Sequence, residues 1–154
     1  MPTTVKILKP EHAGEYRTLM LEAYAEAPDA FTSTPEERAA EPESWWVKRI
    51  ADSSGLSAAF GAYIEGSLVG TAALEFSAKP KTRHKALLIG MYVSPKARST
   101  GAGKQLVQAA IEFARARVGT TVITLTVTQG NESAIMLYRG AGFAEFGTEP
   151  MAIL

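Results

Sequence analysis

One stretch constrains the fold of this chain more than any other, because an apolar run, a glycine-rich turn and an amphipathic helix follow one another directly. The apolar run is "ALLIGMYV" at 86–93, and it is typical of a strand buried on both faces. The turn is "SPKARSTGAG" at 94–103. After it, apolar residues recur at helical spacing: Leu106, Val107, Ala110, Ile111 and Ala114. A central strand therefore leads straight into a packed helix.

The patterns around this unit predict an α+β fold, with a mixed, mostly antiparallel sheet and helices on both faces. The predicted strands are 5–9, 58–65, 68–76, 86–93, 121–127 and 143–147. The predicted helices are 11–26, 34–52, the one after the glycine turn, and 131–139. A tight turn is expected at Gly66-Ser67, and the segment 28–43 is expected to be partly loop. The length predicts one domain over residues 1–154.

Composition excludes several classes of function. Lys+Arg and Asp+Glu number 16 each, so net charge gives no support for a nucleic-acid partner. The chain has no cysteine, which excludes a thiolate metal site, and its two histidines form no metal-binding motif. No apolar stretch has the length of a membrane span, and the first residues lack a signal-peptide pattern. We therefore expect a cytoplasmic protein without metal, membrane or nucleic-acid binding.

The glycine-rich turn has the features of an anion site. The first amides of a helix are unpaired and carry partial positive charge, and glycine lets an anion approach the backbone. The turn matches neither common nucleotide motif. Arg98 stands where a Walker loop needs glycine, and Leu106 stands where a dinucleotide fingerprint needs its third glycine. On these residues alone, a tight turn without a ligand is an equally good interpretation.

Two motifs read together favour a ligand. The stretch "IGMYVSPKARSTGAGKQLVQAAIEFA" resembles motif A of the GNAT acyltransferase superfamily, with "RSTGAG" at 98–103 as its core. About thirty residues further on, "NESAIMLYRGAGF" at 131–143 resembles motif B of the same superfamily. The two motifs occur in the family's order and separation, and the predicted element order fits over nearly the whole chain.

The resemblance implies that the turn binds the pyrophosphate of acetyl-CoA, through residues Arg98, Ser99, Thr100, Gly101, Ala102, Gly103 and Lys104. It also implies that the strand edge at Met91 and Val93 pairs with the pantetheine arm, and that an amide there polarises the thioester. Asn131 would bind the pantetheine arm, although it could equally cap a helix. Tyr138 would protonate the departing thiolate, with packing as its alternative role.

Other candidates concern the base and the acceptor. Glu75 lies where some superfamily members place a base, although an exposed strand carboxylate is the simpler interpretation. His84 could relay a proton or be a solvated turn residue, and the basic run around it could bind a phosphate. The resemblance places the acceptor wall near Phe31, Trp45 and Trp46, where packing is the alternative role.

The predicted function is transfer of an acetyl group from acetyl-CoA to a primary amine, on a small molecule or a peptide, by direct attack. The alternatives are another acyl donor or acceptor, and a sensor that binds acyl-CoA without turnover. The family's usual sheet ends in two strands after motif B, but Pro150 cannot donate to a ladder. We therefore expect the seventh strand to be short or absent, and a homodimer that covers the resulting edge.

Overall fold

The fold is known from a computed structural model, which describes residues 2–153. Five strands form one mixed sheet in the order β1-β2-β3-β4-β5. The first three junctions are antiparallel, and β4 pairs with β5 in parallel. The strands are β1 (Thr4–Ile7), β2 (Ser57–Ile64), β3 (Ser67–Phe76), β4 (Lys85–Val93) and β5 (Val122–Thr124). The predicted α+β class is confirmed.

The helices are α1 (Ala13–Glu26), α2 (Pro35–Ala39), α3 (Glu43–Ala51), α4 (Ala102–Ala116) and α5 (Glu132–Gly140). The single helix predicted at 34–52 is thus two helices. Thr34 caps α2 through a reciprocal pair of hydrogen bonds with Glu37. Pro42 lies between the two helices and prevents a continuous one, because proline has no N–H to donate to the carbonyl of Arg38.

The β2–β3 hairpin turns one residue earlier than predicted. Ile64 lies opposite Ser67, so the two turn residues are Glu65 and Gly66. Both have positive φ, 50° and 79°, as a type I′ turn requires. This turn matches the twist of the two strands and fixes the register of β3, whose far end carries Glu75.

Each face of the sheet has its own apolar core. On one face, α4 packs Leu106 and Val107 against Leu74 of β3. On the other face, α1 and α3 contribute the buried side chains of Tyr16, Met20, Ala23, Trp46 and Ile50. Strand β3 is therefore covered on both sides from Val69 to Leu74. The apolar run at 86–93 predicts the same for β4, but the start of that strand is open on one face, where Leu87 is 38% exposed.

The predicted last strand is not formed. Within residues 2–153, no strand follows α5, and 143–147 is irregular. The cause lies in β5, which has three residues instead of the seven predicted for 121–127, and all three pair with β4. The chain leaves the sheet after Thr124, so 143–147 has no long ladder to join. In the described part of the chain, no helix is long and apolar enough to cross a membrane.

Candidate active site

The parallel strands β4 and β5 pair over three residues and then separate. Lys85, Ala86 and Leu87 of β4 lie opposite Val122–Thr124 of β5. The remainder of β4, residues 88–93, has no strand partner on that side among the described residues. Its backbone groups therefore form a free edge, to which an extended ligand can hydrogen-bond as an added strand does.

A β-bulge lies in the same part of β4. Ala73 lies opposite Ile89 and Thr71 opposite Tyr92, so three steps along β4 match two along β3. Gly90 supplies the left-handed conformation, with φ of 59°. The bulge reverses the faces of the following side chains, so that Tyr92 points towards α1 while Met91 and Val93 pack on the α4 side. The bend therefore lies within the free edge.

The glycine-rich turn leaves open space in front of the first turn of α4. Ser99 and Gly101 both have left-handed φ values, 67° and 87°. Gly101 precedes α4, and no side chain caps the helix. A Cβ atom placed on Gly101 would meet no atom within 4 Å. The unpaired amides of the helix start are therefore accessible to a phosphate group, which this geometry fits.

Gly103 has a packing role that sequence reasoning missed. A Cβ on this residue would lie 3.3 Å from Cδ2 of Leu137 and 3.5 Å from Cε of Met91. Glycine at this position lets α4 approach α5 and β4 closely. No sequence pattern distinguishes this use of glycine from close approach to a ligand.

Arg98 joins the turn to α1. Its Nε donates to the carbonyl oxygen of Val93 at 3.2 Å, and its Nη2 donates to the carboxylate of Glu26 at 2.9 Å. One turn earlier on α1, Oε2 of Glu22 accepts hydrogen bonds from Tyr92 Oη at 2.8 Å and Ser94 Oγ at 2.9 Å. Both hydroxyl residues are buried. These contacts hold the end of β4 against α1.

Sequence reasoning missed Glu22 and Glu26. The available signal was their spacing, because like charges four residues apart on a helix destabilise it unless each has a partner. Their partners are about seventy residues away in sequence, so the pattern could not identify them.

The structure buries Tyr138 of α5 on the α4 side of the sheet. Its side chain is 9% exposed and belongs to the buried cluster against which Met91 and Val93 pack. Its ring makes an edge contact with Phe143 at 5.9 Å between centroids. Burial raises the pKa of Tyr138 to about 12. The phenol therefore remains protonated throughout the neutral pH range.

Asn131 lies at the start of α5, but its side chain does not cap that helix. Among the described residues, its side chain makes one hydrogen bond, a marginal one of 3.5 Å from Ser133 Oγ to Asn131 Oδ1. The amide group remains available to a ligand.

Glu75 is not brought into contact with Tyr138. It is exposed and lies opposite Leu87 on β4. Met91 is four positions beyond Leu87, a distance of roughly 13 Å along a strand. The backbone of His84 instead connects the start of β4 to β5, because its carbonyl oxygen accepts hydrogen bonds from the N–H groups of Thr121 and Val122. The basic residues around it, Lys79, Lys81, Arg83 and Lys85, are exposed.

The predicted acceptor wall has one buried and one half-buried tryptophan. Trp46 is 1% exposed and packs in the core beneath α3. Trp45 is partly exposed and borders a cleft with Arg49 and Glu75. Phe31 packs its ring edge-on against Tyr24 at 5.3 Å. Aromatic side chains therefore line the side of the sheet on which α1 and α3 lie.

Comparison with solved structures shows the same fold in proteins of low sequence identity. A GNAT-family acetyltransferase from Streptococcus pneumoniae is 23% identical, with a TM-score of 0.78, over 96% of this chain and 88% of its own. An aminoglycoside acetyltransferase from an uncultured soil metagenomic sample is 24% identical, with a TM-score of 0.77, over 97% and 96% of the two chains.

A third structure contains acetyl-CoA. This predicted acetyltransferase from Clostridium acetobutylicum is 17% identical, with a TM-score of 0.72, over 99% of this chain and 96% of its own. No curated protein sequence matches the chain significantly. The family model of the acetyltransferase (GNAT) family matches residues 17–143, from the first helix through both motifs. The chain belongs to the GNAT acetyltransferase family.

Proposed function

We propose that this protein is an acetyl-CoA-dependent N-acetyltransferase that transfers an acetyl group to a primary amine in a ternary complex. The proposal rests on two features that follow one another along the chain. The free edge of β4, residues 88–93, leads within six residues to the open turn at Ser99–Gly101. An extended arm and a pyrophosphate, joined as in coenzyme A, match these two features in the same order.

The residues divide the binding between them. Backbone amides from Ser99 to Lys104 bind the pyrophosphate, with Lys104 adding positive charge. Backbone groups at Met91 and Val93 pair with the pantetheine arm. The side-chain amide of Asn131, at the start of α5, also binds this arm. The structural neighbour crystallised with acetyl-CoA supports this assignment by its shared fold.

The transfer needs few protein groups. The amine nitrogen attacks the thioester carbonyl carbon, a C–N bond forms, and the C–S bond then breaks. A backbone amide near Met91 or Val93 donates to the carbonyl oxygen, on which negative charge develops. Tyr138 gives its phenolic proton to the departing thiolate, and the proton that the acceptor nitrogen loses on becoming an amide returns to the phenolate through water. Burial makes the phenol a weaker acid, but it also raises the pKa of a thiol in the same apolar surroundings. The pKa values of the phenol and the thiol therefore remain close to each other.

The attacking amine must first lose a proton. Glu75 is the candidate base, and its distance from Met91, roughly 13 Å along the strand, requires a chain of water molecules. Water alone is the alternative acceptor of that proton. Removal of the Glu75 carboxylate separates these two routes.

Thiol release and product mass test the function together. The protein is incubated with acetyl-CoA and a panel of amines, amino acids, peptides and aminoglycosides, and with propionyl-CoA as an alternative donor. We expect free thiol and an acceptor heavier by one acetyl group, above the thiol released without an amine. Binding of CoA without any product would favour the sensor interpretation, and no binding of CoA would overturn the proposal.

A further inference from the structure

Three buried hydrogen-bond donors on α1 and α3 have no partner among the described residues. They are Tyr16 Oη, Trp46 Nε1 and Arg49 Nε. Tyr16 and Trp46 are each 1% exposed, and their rings meet edge-on at 5.9 Å between centroids. An unpaired buried donor costs about 1–3 kcal/mol. Three of them in one neighbourhood are a strong indication that an acceptor group binds there.

The surroundings of these donors are positively charged. Arg49 lies beside the Tyr16 hydroxyl, and both Arg38 and Arg49 lie near the hydroxyl of Tyr24. The two guanidinium groups flank the ring of Trp45, at 4.5 Å and 5.6 Å from its centroid. Within residues 2–153, neither has a carboxylate within the 4.0 Å of an ion pair. The cluster therefore holds two cations without a matching anion.

The carboxylates near this cluster have other partners or lie at its edge. Glu37 is engaged in the cap of α2, where it accepts the N–H of Thr34 at 2.7 Å. Asp52 accepts a hydrogen bond from Ser54 at 2.8 Å. Glu75 borders the same cleft as Arg49. Arg38 Nε donates to Ser33 Oγ at 2.9 Å. Apart from Glu75 at the edge, the charged groups of this cluster without a counter-ion among residues 2–153 are therefore cations.

The cluster lies close to the bend of β4. The Tyr16 hydroxyl is 3.5 Å from the position that a Cβ on Gly90 would occupy. Gly90 forms the bulge and precedes Met91, where the thioester carbonyl is placed in the proposed function. The donors therefore lie on the α1 side of the sheet, the face opposite α4, next to the bend of β4.

We propose that Tyr16, Arg38 and Arg49 bind a carboxylate of the acceptor, so that the acceptor is an amine that also carries a carboxylate, such as an amino acid or a short peptide. The inference rests on the proposed function and specifies its substrate class. A guanidinium group pairs with a carboxylate through two parallel hydrogen bonds, and the phenol and indole donors can complete the carboxylate's shell. The same two cations disfavour an acceptor that carries only positive charge.

Matched acceptors test the proposal. Each amino acid in the panel is compared with its amide and with the corresponding decarboxylated amine, as leucine is with leucinamide and isopentylamine. We expect kcat/KM for the carboxylate form to be higher by about tenfold or more, since a hydrogen bond to a charged group contributes about 1.5–3 kcal/mol. Arg49→Gln and Arg38→Gln should remove that preference, whereas Arg83→Gln, in an exposed turn, should keep it.

A binding measurement separates this inference from the proposed function. The only two tryptophans of the chain, Trp45 and Trp46, lie at the cluster, so intrinsic fluorescence reports on it. N-acetylated amino acids and their amides are titrated without acetyl-CoA. We expect the acids alone to change the fluorescence, and Tyr16→Phe to weaken their binding with little loss of folding stability, because within residues 2–153 no group lies in hydrogen-bond geometry to the hydroxyl and Arg49 is its charged neighbour.

The outcomes are distinct. Acetyl transfer that is equally fast to amines with and without a carboxylate would overturn the inference and leave the proposed function intact. Acid-selective binding without acetyl transfer to any amine would overturn the function and support the carboxylate site. If neither acetyl transfer nor acid-selective fluorescence change occurs, both are wrong.

Discussion

At the scale of single residues, Tyr138 combines a buried ring with a proton that the reaction can use. Tyr138→Phe keeps the ring and removes only the hydroxyl. General acid catalysis contributes about a hundredfold or more, so we expect kcat to fall by about that factor with CoA affinity unchanged. Steady-state kinetics and calorimetry measure the two effects. Tyr63→Phe, on β2, is the matched control. Wild-type turnover in Tyr138→Phe would assign Tyr138 to packing.

The raised pKa of Tyr138 has a consequence for stability. The unfolded tyrosine ionises near pH 10, whereas burial raises the folded pKa to about 12. Above pH 10 the unfolded state therefore loses protons that the folded state keeps, and stability falls as pH rises. Between pH 9 and 11 this contribution decreases by roughly 1 kcal/mol. Urea unfolding of the wild type should lose about that much more than Tyr138→Phe. Equal losses in both proteins would contradict the buried, neutral phenol.

At the scale of secondary structure elements, the turn before α4 can be tested by one methyl group. Gly101 has a left-handed φ of 87°, and a Cβ there would enter open space. Gly66, in the β2–β3 turn, has a φ of 79° and equally open space, so Gly66→Ala carries the same backbone strain. Both variants should lose about 1 kcal/mol of stability. Only Gly101→Ala should weaken CoA binding in calorimetry, by several-fold. Equal CoA affinity in both would exclude the turn as the pyrophosphate site.

Gly103 is a poorer place for such a test. Its Cβ would lie 3.3 Å from Leu137, so a valine there would disturb the packing of α4 against α5. Lower CoA affinity in that variant would not distinguish lost binding from lost packing. The choice between the two glycines follows from geometry that the sequence does not contain.

The sequence predicts the helices and strands better than it predicts the breaks and the contacts between them. The run at 86–93 and the helix after it agree closely with β4 and α4, because a strand inside a sheet shows a continuous apolar run and a packed helix shows an apolar stripe at helical spacing. The break at Pro42 was missed, although proline in a helix interior is itself a sequence signal. The partners of Glu22 and Glu26 were beyond reach, since they depend on how α1 lies on the sheet.

At the scale of the whole molecule, the last segment, residues 143–153, leaves apolar surface uncovered. Phe146 is 90% exposed and Met151 is 81% exposed. Ile111, Val122 and Phe143 border a groove between α4 and β5, and Val122 is 40% exposed. The outer edge of β5 has no strand neighbour among residues 2–153. An open strand edge next to exposed apolar side chains favours pairing with another chain.

We propose that a second copy of the chain covers this edge, by packing or by exchange of the last segment. Light scattering should give the mass of a dimer for the wild type. Phe146→Ser and deletion of the residues after Glu149 should each shift the protein towards monomer and lower its melting temperature, since the dimer stabilises the fold by mass action. Ile7→Ser changes an exposed apolar residue of β1, at the opposite edge of the sheet, and should leave the dimer intact. A wild-type monomer whose mass and melting temperature ignore both changes at the last segment would refute the proposal.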